Sequence, residues 1–182
     1  QDGVVEFVDN GQGAHAYAGH HSEASNSYVV SYGDPLNLTD VATTANWTIK
    51  SNDDADYGAE GVQPIAVYRK TQVNGMSYTG WDQVNSDHGF DYTKEHFIYL
   101  ELPVSMKQDN NYRIEINESL NTDTTSQSIT FDIFNSNSEA VHTNLVGYMS
   151  SSRAKSADLY YFMGDGGYRD YSGFEGNEVY IY

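Results

Sequence analysis

Tyr78-Thr79-Gly80-Trp81-Asp82-Gln83, with His88, Phe90 and Tyr92 shortly after, places a tryptophan in a polar, glycine-containing stretch. A sugar ring has an apolar face of C–H groups that lies flat on an aromatic ring. Its rim of hydroxyls needs carboxylates and amides close by, and small-molecule sites generally combine such a surface with a few placed polar groups. Tyr78, Trp81, Asp82, Gln83, His88 and Tyr92 therefore form the candidate ligand-binding set. The competing reading folds Trp81 back to plug one end of the fold. Trp47 alternates with Ile49 in Asn46-Trp47-Thr48-Ile49-Lys50 and belongs to the core.

A second cluster, Asn52-Asp53-Asp54-Ala55-Asp56-Tyr57-Gly58 with Glu60 after it, resembles half of a calcium loop. Ca²⁺ takes six to eight oxygens, and closely spaced acids in a turn supply several of them. Asp54, Asp56 and Glu60 are the candidate ligands of a structural Ca²⁺. The bidentate glutamate of an EF-hand is missing at its required distance, so a solvated acidic loop is the alternative. Gly164-Asp165-Gly166-Gly167-Tyr168-Arg169-Asp170 lacks the following helix and the Lys-Ser/Thr pair of a phosphate-binding loop. It reads as a tight turn in which Arg169 pairs with Asp165 or Asp170.

Other chemistry is poorly supplied. The six histidines form no H-E-x-x-H pattern, there is no cysteine, and no G-x-S-x-G elbow is present. Two carboxylates about 5 or 7–9 Å apart would serve a glycosidase. Glu101 and Glu115, both on expected strands, are the pair such an enzyme would use.

The elements that must position these residues are short strands. Val4, Val5 and Phe7, Tyr28–Tyr32, Asn46–Lys50, Val62–Lys70, His96–Leu102, Tyr112–Ile116 and Ser128–Phe134 each alternate or run in β-favouring residues. Pro64 puts its strand at an edge or a start. Residues 71–93 show little period and read as a long loop, a length that is uncommon in compact domains and often functional. Leu36–Asn46 has room for one helical turn, and no amphipathic helix is evident. Turn clusters separate the strands, so the expected fold is all-β: an antiparallel sandwich forming one domain over 1–182, with a possible sub-boundary near 136–140.

The balance of 26 acidic against 9 basic residues gives a formal charge of −17, which repels phosphate backbones and anionic membranes. Nucleic acid and membrane insertion are excluded on that ground and by the lack of an apolar run of about 20 residues. A neutral ligand fits such a surface. The absence of cysteine and the start at Gln1 fit a mature, secreted or cell-surface bacterial protein.

The last quarter carries a family resemblance. Val141-His142-Thr143-Asn144-Leu145-Val146-Gly147-Tyr148, followed by Arg153 and Lys155 before the strand-like Ala157–Met163, resembles the opening of the Ig-like module that precedes the catalytic domain in secreted bacterial cellulases and related glycoside hydrolases. Leu145 stands where glutamine is usual, and the proline of the following turn is missing. Tyr28–Ile49 is similar to a bacterial Ig-like surface domain. The resemblance implies an Ig-like β-sandwich, and the residues of this stretch read as a C-terminal β-meander closed by a last short strand of Phe174, Val179 and Ile181. It also implies a non-catalytic accessory module that meets a neutral polysaccharide and an adjacent catalytic domain in the parent chain, and it brings no catalytic residue. A free-standing β-sandwich hydrolase or lyase and a structural spacer or adhesion domain are the alternatives.

Overall fold

The computed structural model describes residues 4–7, 28–31, 35–136, 138–144 and 146–178. The described chain is mostly strand, in antiparallel sheets with little helix, as its composition leads one to expect. It divides into two compact units that interleave along the sequence. The first comprises Gln1–Val41, Lys70–Ile98 and Glu118–Asp123; the second comprises Ala42–Arg69, Tyr99–Asn117 and Thr124–Tyr182. The 136–140 segment falls inside the second unit. His15, His20, His21 and the expected strand at Val179–Ile181 lie outside the described residues.

In the first unit, β1 (Val4–Phe7) pairs antiparallel with β2 (Tyr28–Ser31). The expected helical turn is α1 (Leu38–Val41). Asn37 caps it: its side-chain oxygen accepts from the backbone N–H groups of Thr39 and Asp40, the pairing that favours asparagine at helix starts. Val41 and Leu120 are fully buried, and the backbone N–H of Asn37 donates to the Leu120 carbonyl.

The second unit is built on a three-stranded sheet in the order β3–β6–β7, using β3 (Trp47–Lys50), β6 (Asn111–Ile116) and β7 (Ser126–Thr130). Period-two alternation sends Ile49, Tyr112, Ile114 and Ile129 to one face. There they pack with Tyr57, Val62, Leu100, Leu102, Met106 and Phe131. Trp47 is buried, as its strand setting requires. Tyr57 and Tyr112 meet edge to face with centroids 5.0 Å apart, a favourable ring geometry. The opposite face presents Lys50, Arg113, Glu115 and Thr130. The β7 strand stops at Thr130, short of the expected Phe134. Asp132 turns the chain there by accepting from the backbone N–H of Phe134 and the side-chain amides of Asn135 and Gln108.

The largest departure from the sequence reading is residues 71–93. They are not a loop but most of a long hairpin, β4 (Ala66–Asp82) and β5 (Asp87–Glu101), joined by a turn at 83–86. Ser86 adopts the left-handed φ of 54° that lets the chain reverse. Three side-chain pairs fix the ladder: Thr71 with His96 at 2.8 Å, Gln72 with Glu95 at 3.1 Å, and Asn74 with Thr93 at 2.7 Å. Partner numbers fall as residue numbers rise, as antiparallel pairing demands. Polar residues occupy both faces of this ribbon, so the hydrophobic alternation that advertises a half-buried strand is absent.

The C-terminal segment carries less ladder than expected. Among the described residues of this segment, only β8 (Val141–His142) and β9 (Asp158–Leu159) pair, with one further bridge between Phe162 and Tyr168. Phe174 lies in a 3-10 turn, Ser172–Phe174, rather than in a strand. β-Propensity needs a partner strand to be realised, and here side chains do much of the holding. Arg169 bonds Glu101 at 2.7 Å, and the backbone N–H of Arg69 donates to Asp165 at 2.6 Å. Tyr161 donates to Glu139 at 2.6 Å while its ring meets that of Tyr99 edge-on.

Candidate functional site

The hairpin places the residues read as ligand-binding on one continuous element. Tyr78, Trp81 and Asp82 belong to β4, Gln83 opens the turn, and His88 and Tyr92 belong to β5. The side chains of Tyr78, Trp81 and Asp82 lie outside the described residues. Gln83, His88, Phe90 and Tyr92 are exposed, Tyr92 to 45 %. Strand alternation puts His88, Phe90 and Tyr92 on one face, successive rings about 7 Å apart. Thr93, on the other face, is fully buried. The outward face of β5 is thus a row of flat rings on a paired strand. Sequence reading found its residues but assigned them to a loop.

The acidic loop carries the three candidate calcium ligands, Asp54, Asp56 and Glu60. Asp54 is 1 % exposed. Its two carboxylate oxygens accept from Lys107 Nζ at 2.6 Å and from the Tyr112 hydroxyl at 2.8 Å. Lys107 also reaches Asp56 at 2.6 Å, so one ammonium lies between the two carboxylates proposed as metal ligands. Glu60 is exposed. Among the described residues no group of three or more His, Cys, Asp or Glu side chains gathers as a metal set.

The loop backbone is tied down as well. Ser51 Oγ accepts from the N–H groups of Asp53 and Asp54, the Asp54 carbonyl accepts from Tyr57 and Gly58, and the Tyr57 hydroxyl donates to the Val104 carbonyl. Lys107 outweighs burial in setting the charge of Asp54: its hydrogen bond holds the carboxyl below the ordinary 3.8, against the opposing desolvation. Lys107 is pushed up in return, by its bonds to Asp54 and Asp56. The Lys107 ammonium is thus a cation that the chain itself supplies to this loop. Treatment with EDTA is expected to leave the melting temperature unchanged, whereas Lys107→Met lowers it. A chelator-induced drop would restore a metal to this loop.

The two carboxylates considered for hydrolysis are both engaged. Glu101 accepts from Arg169 at 2.7 Å and from the Tyr68 hydroxyl at 3.0 Å, and these bonds, the Arg169 one foremost, hold its carboxyl below the ordinary range. Arg169 therefore pairs with Glu101, not with Asp165 or Asp170 as its local sequence suggests. Glu115 is paired with Lys50 at 2.8 Å and is likewise held down by that bond. A general acid needs a raised carboxyl pKa, and neither has one. A cavity of about 580 Å³ lies over the polar sheet face, lined by Lys50, Asn111, Arg113, Glu115 and Thr130, with Tyr112 its only ring. Because Tyr112 is buried, that cavity offers no stacking surface.

Fold and site together define an all-β protein with an acidic surface, an aromatic-bearing hairpin and a lysine-clasped loop. No family model, no curated protein and no solved structure matches the chain. Among the described residues no helix is long and apolar enough to cross a membrane.

Proposed function

We propose that this chain is a non-catalytic carbohydrate-binding or accessory module of a secreted or cell-surface bacterial polysaccharide-degrading enzyme. In this reading its all-β units belong to the Ig-like sandwich class and stand beside a catalytic domain in the parent chain. The observation that carries the proposal is the exposed face of β5, where His88, Phe90 and Tyr92 stand in a row beside the turn that bears Gln83. Flat rings at strand spacing on a paired strand lose little freedom when a ligand lies on them. The net charge of −17 turns away anionic polymers and leaves neutral ones. Trp81, six positions before the start of β5, belongs to the same hairpin.

The test is binding of the chain to cellulose, xylan and mannan, by co-sedimentation and by calorimetry with soluble oligosaccharides of each. Tyr92→Ala and Trp81→Ala are each expected to weaken binding by about tenfold, the equivalent of one lost stacking contact of about 1.4 kcal/mol, with the melting temperature preserved. Absence of binding to all three polymers leaves the spacer or adhesion reading in its place. A Trp81→Ala variant that unfolds would put that indole in the core.

A further inference from the structure

The C-terminal segment holds a second ring-lined feature, well away in sequence from the hairpin face. The β8 and β9 strands, in the register His142 opposite Asp158, form one wall of a groove of about 610 Å³. That volume lies within the usual range of small-molecule sites, about 300–1,000 Å³. Three rings line it, those of His142, Tyr148 and Tyr160, with Asn144, Ser156 and Asp158 among the polar neighbours.

Each ring is fixed by contacts already made within the protein. The imidazole of His142 stacks on Tyr160 with centroids 3.7 Å apart and planes 9° from parallel, and its Nε2 lies 3.2 Å from the Tyr160 carbonyl oxygen. The hydroxyl of Tyr148 donates to the Ser156 carbonyl and accepts from the backbone N–H of Asn144 at 3.4 Å. Asn144 Oδ1 accepts from the Val146 N–H at 2.9 Å, which orients the amide and leaves the donor role to its NH₂ end. Gly147, at φ 87°, makes the reversal that brings Tyr148 back over this segment. Tyr160 remains 53 % exposed although one of its faces is taken by His142.

We propose that this groove is a separate subsite for a neutral sugar residue, with the free face of Tyr160 as its platform. The Asp158 carboxylate and the Asn144 amide would receive and donate hydrogen bonds at the sugar's rim. The choice of a neutral ligand follows from the lining: Asp158 repels anions, while a ring with a carboxylate and an amide beside it matches the apolar face and hydroxyl edge of a pyranose. The rings are held before any ligand arrives, so little ordering cost is added on binding. This inference rests on the carbohydrate reading given above, and it adds a site that the hairpin residues do not share.

Cellohexaose, xylohexaose and mannohexaose titrated into the full chain test it, with calorimetry for affinity and the His142 ring protons followed by NMR. Because His142 is stacked on Tyr160, those protons are expected to shift on titration with the sugar that binds. Tyr160→Ala is expected to weaken this binding by about tenfold and to abolish the His142 shift, while Tyr92→Ala leaves the shift intact. Asp158→Ala, at an exposed position, gives the same loss and keeps the test valid if Tyr160→Ala melts early. Binding that is lost in Tyr92→Ala, unchanged in Asp158→Ala and silent at His142 overturns the groove while sparing the hairpin site. No binding of any of the three sugars overturns both.

Discussion

Asp54→Ala is expected to produce the largest loss of stability of any change at a charged residue of this protein, read as a fall in the melting temperature followed by circular dichroism. The buried carboxylate is the common acceptor for Lys107 Nζ, the Tyr112 hydroxyl and the backbone N–H of Asp56. Removing it leaves the Tyr112 hydroxyl without its acceptor beside the packed ring of Tyr57, and unsatisfied buried polar groups are costly. Lys107→Met is expected to cost less. Its side chain is 54 % exposed and its second carboxylate partner, Asp56, is exposed too, but its removal leaves a buried carboxylate with Tyr112 as its side-chain partner. The double variant is expected to lose less than the sum of the two, since both single changes break the same contact. An Asp54→Ala protein melting within about 2 °C of the parent would show that the clasp contributes nothing.

The same residue contributes to the acid limb of the stability curve. Asp54 is held below its ordinary 3.8 by the Lys107 hydrogen bond, and Asp132 is held down to about 2 by the Asn135 and Gln108 amides. A carboxyl whose folded value is lowered stabilises the fold above its unfolded value and loses that contribution as pH falls through the folded one. Lys107 is raised above its ordinary 10.5, so its contribution is complete below that value and lost only at higher pH. Stability is therefore expected to be level from about pH 5 to about pH 10 as far as this cluster is concerned, and to fall from about pH 4 toward about pH 2. In Asp54→Ala the acid limb flattens. A parent protein whose melting temperature is unchanged at pH 2.5 would contradict the assignment.

The second large effect belongs to Gly61. Its φ is 81°, and a Cβ built there would stand 2.6 Å from Thr48 Cγ2 and Lys50 Cγ and 2.9 Å from the Ile49 carbonyl oxygen. The next residue, Val62, exchanges both backbone hydrogen bonds with Ile49 at 2.8 and 2.9 Å, so the glycine cannot retreat from β3 without breaking that pair. Left-handed backbone costs an L-residue about 1–2 kcal/mol, and overpacking adds about 1–3 kcal/mol. Gly61→Ala is thus expected to destabilise by about 2–5 kcal/mol in urea unfolding. Gly58→Ala is the control, because it shares the positive φ, 61°, but meets its nearest atom only at 4.0 Å. It is expected to cost about 1–2 kcal/mol, the conformational part alone. Equal losses at the two positions would mean that the contact with β3 carries no weight.

Gly166 illustrates a further close approach that the sequence does not announce. A side chain at that position would fall 2.5 Å from Tyr68 Cγ. The Gly164-Asp165-Gly166-Gly167 run reads as a turn from its composition, and a turn it is, but the glycine also seats the C-terminal segment under the ring of Tyr68.

What the sequence determined by itself was local. Alternation and β-branched residues placed β1, β2, β3 and β6 and sent Trp47 and Ile49 inward, because a strand with one buried face writes that face into every second residue. Composition settled the all-β character and the acidic surface. Tertiary structure decided every pairing between distant residues. Lys107 lies 53 positions from Asp54 and Arg169 lies 68 from Glu101. In a chain with 26 acidic residues, nothing local selects one partner over another. The hairpin of 66–101 was hidden for a related reason: its ladder is held by cross-strand polar pairs, and pairing across strands, unlike burial of one face, leaves no period in either strand alone.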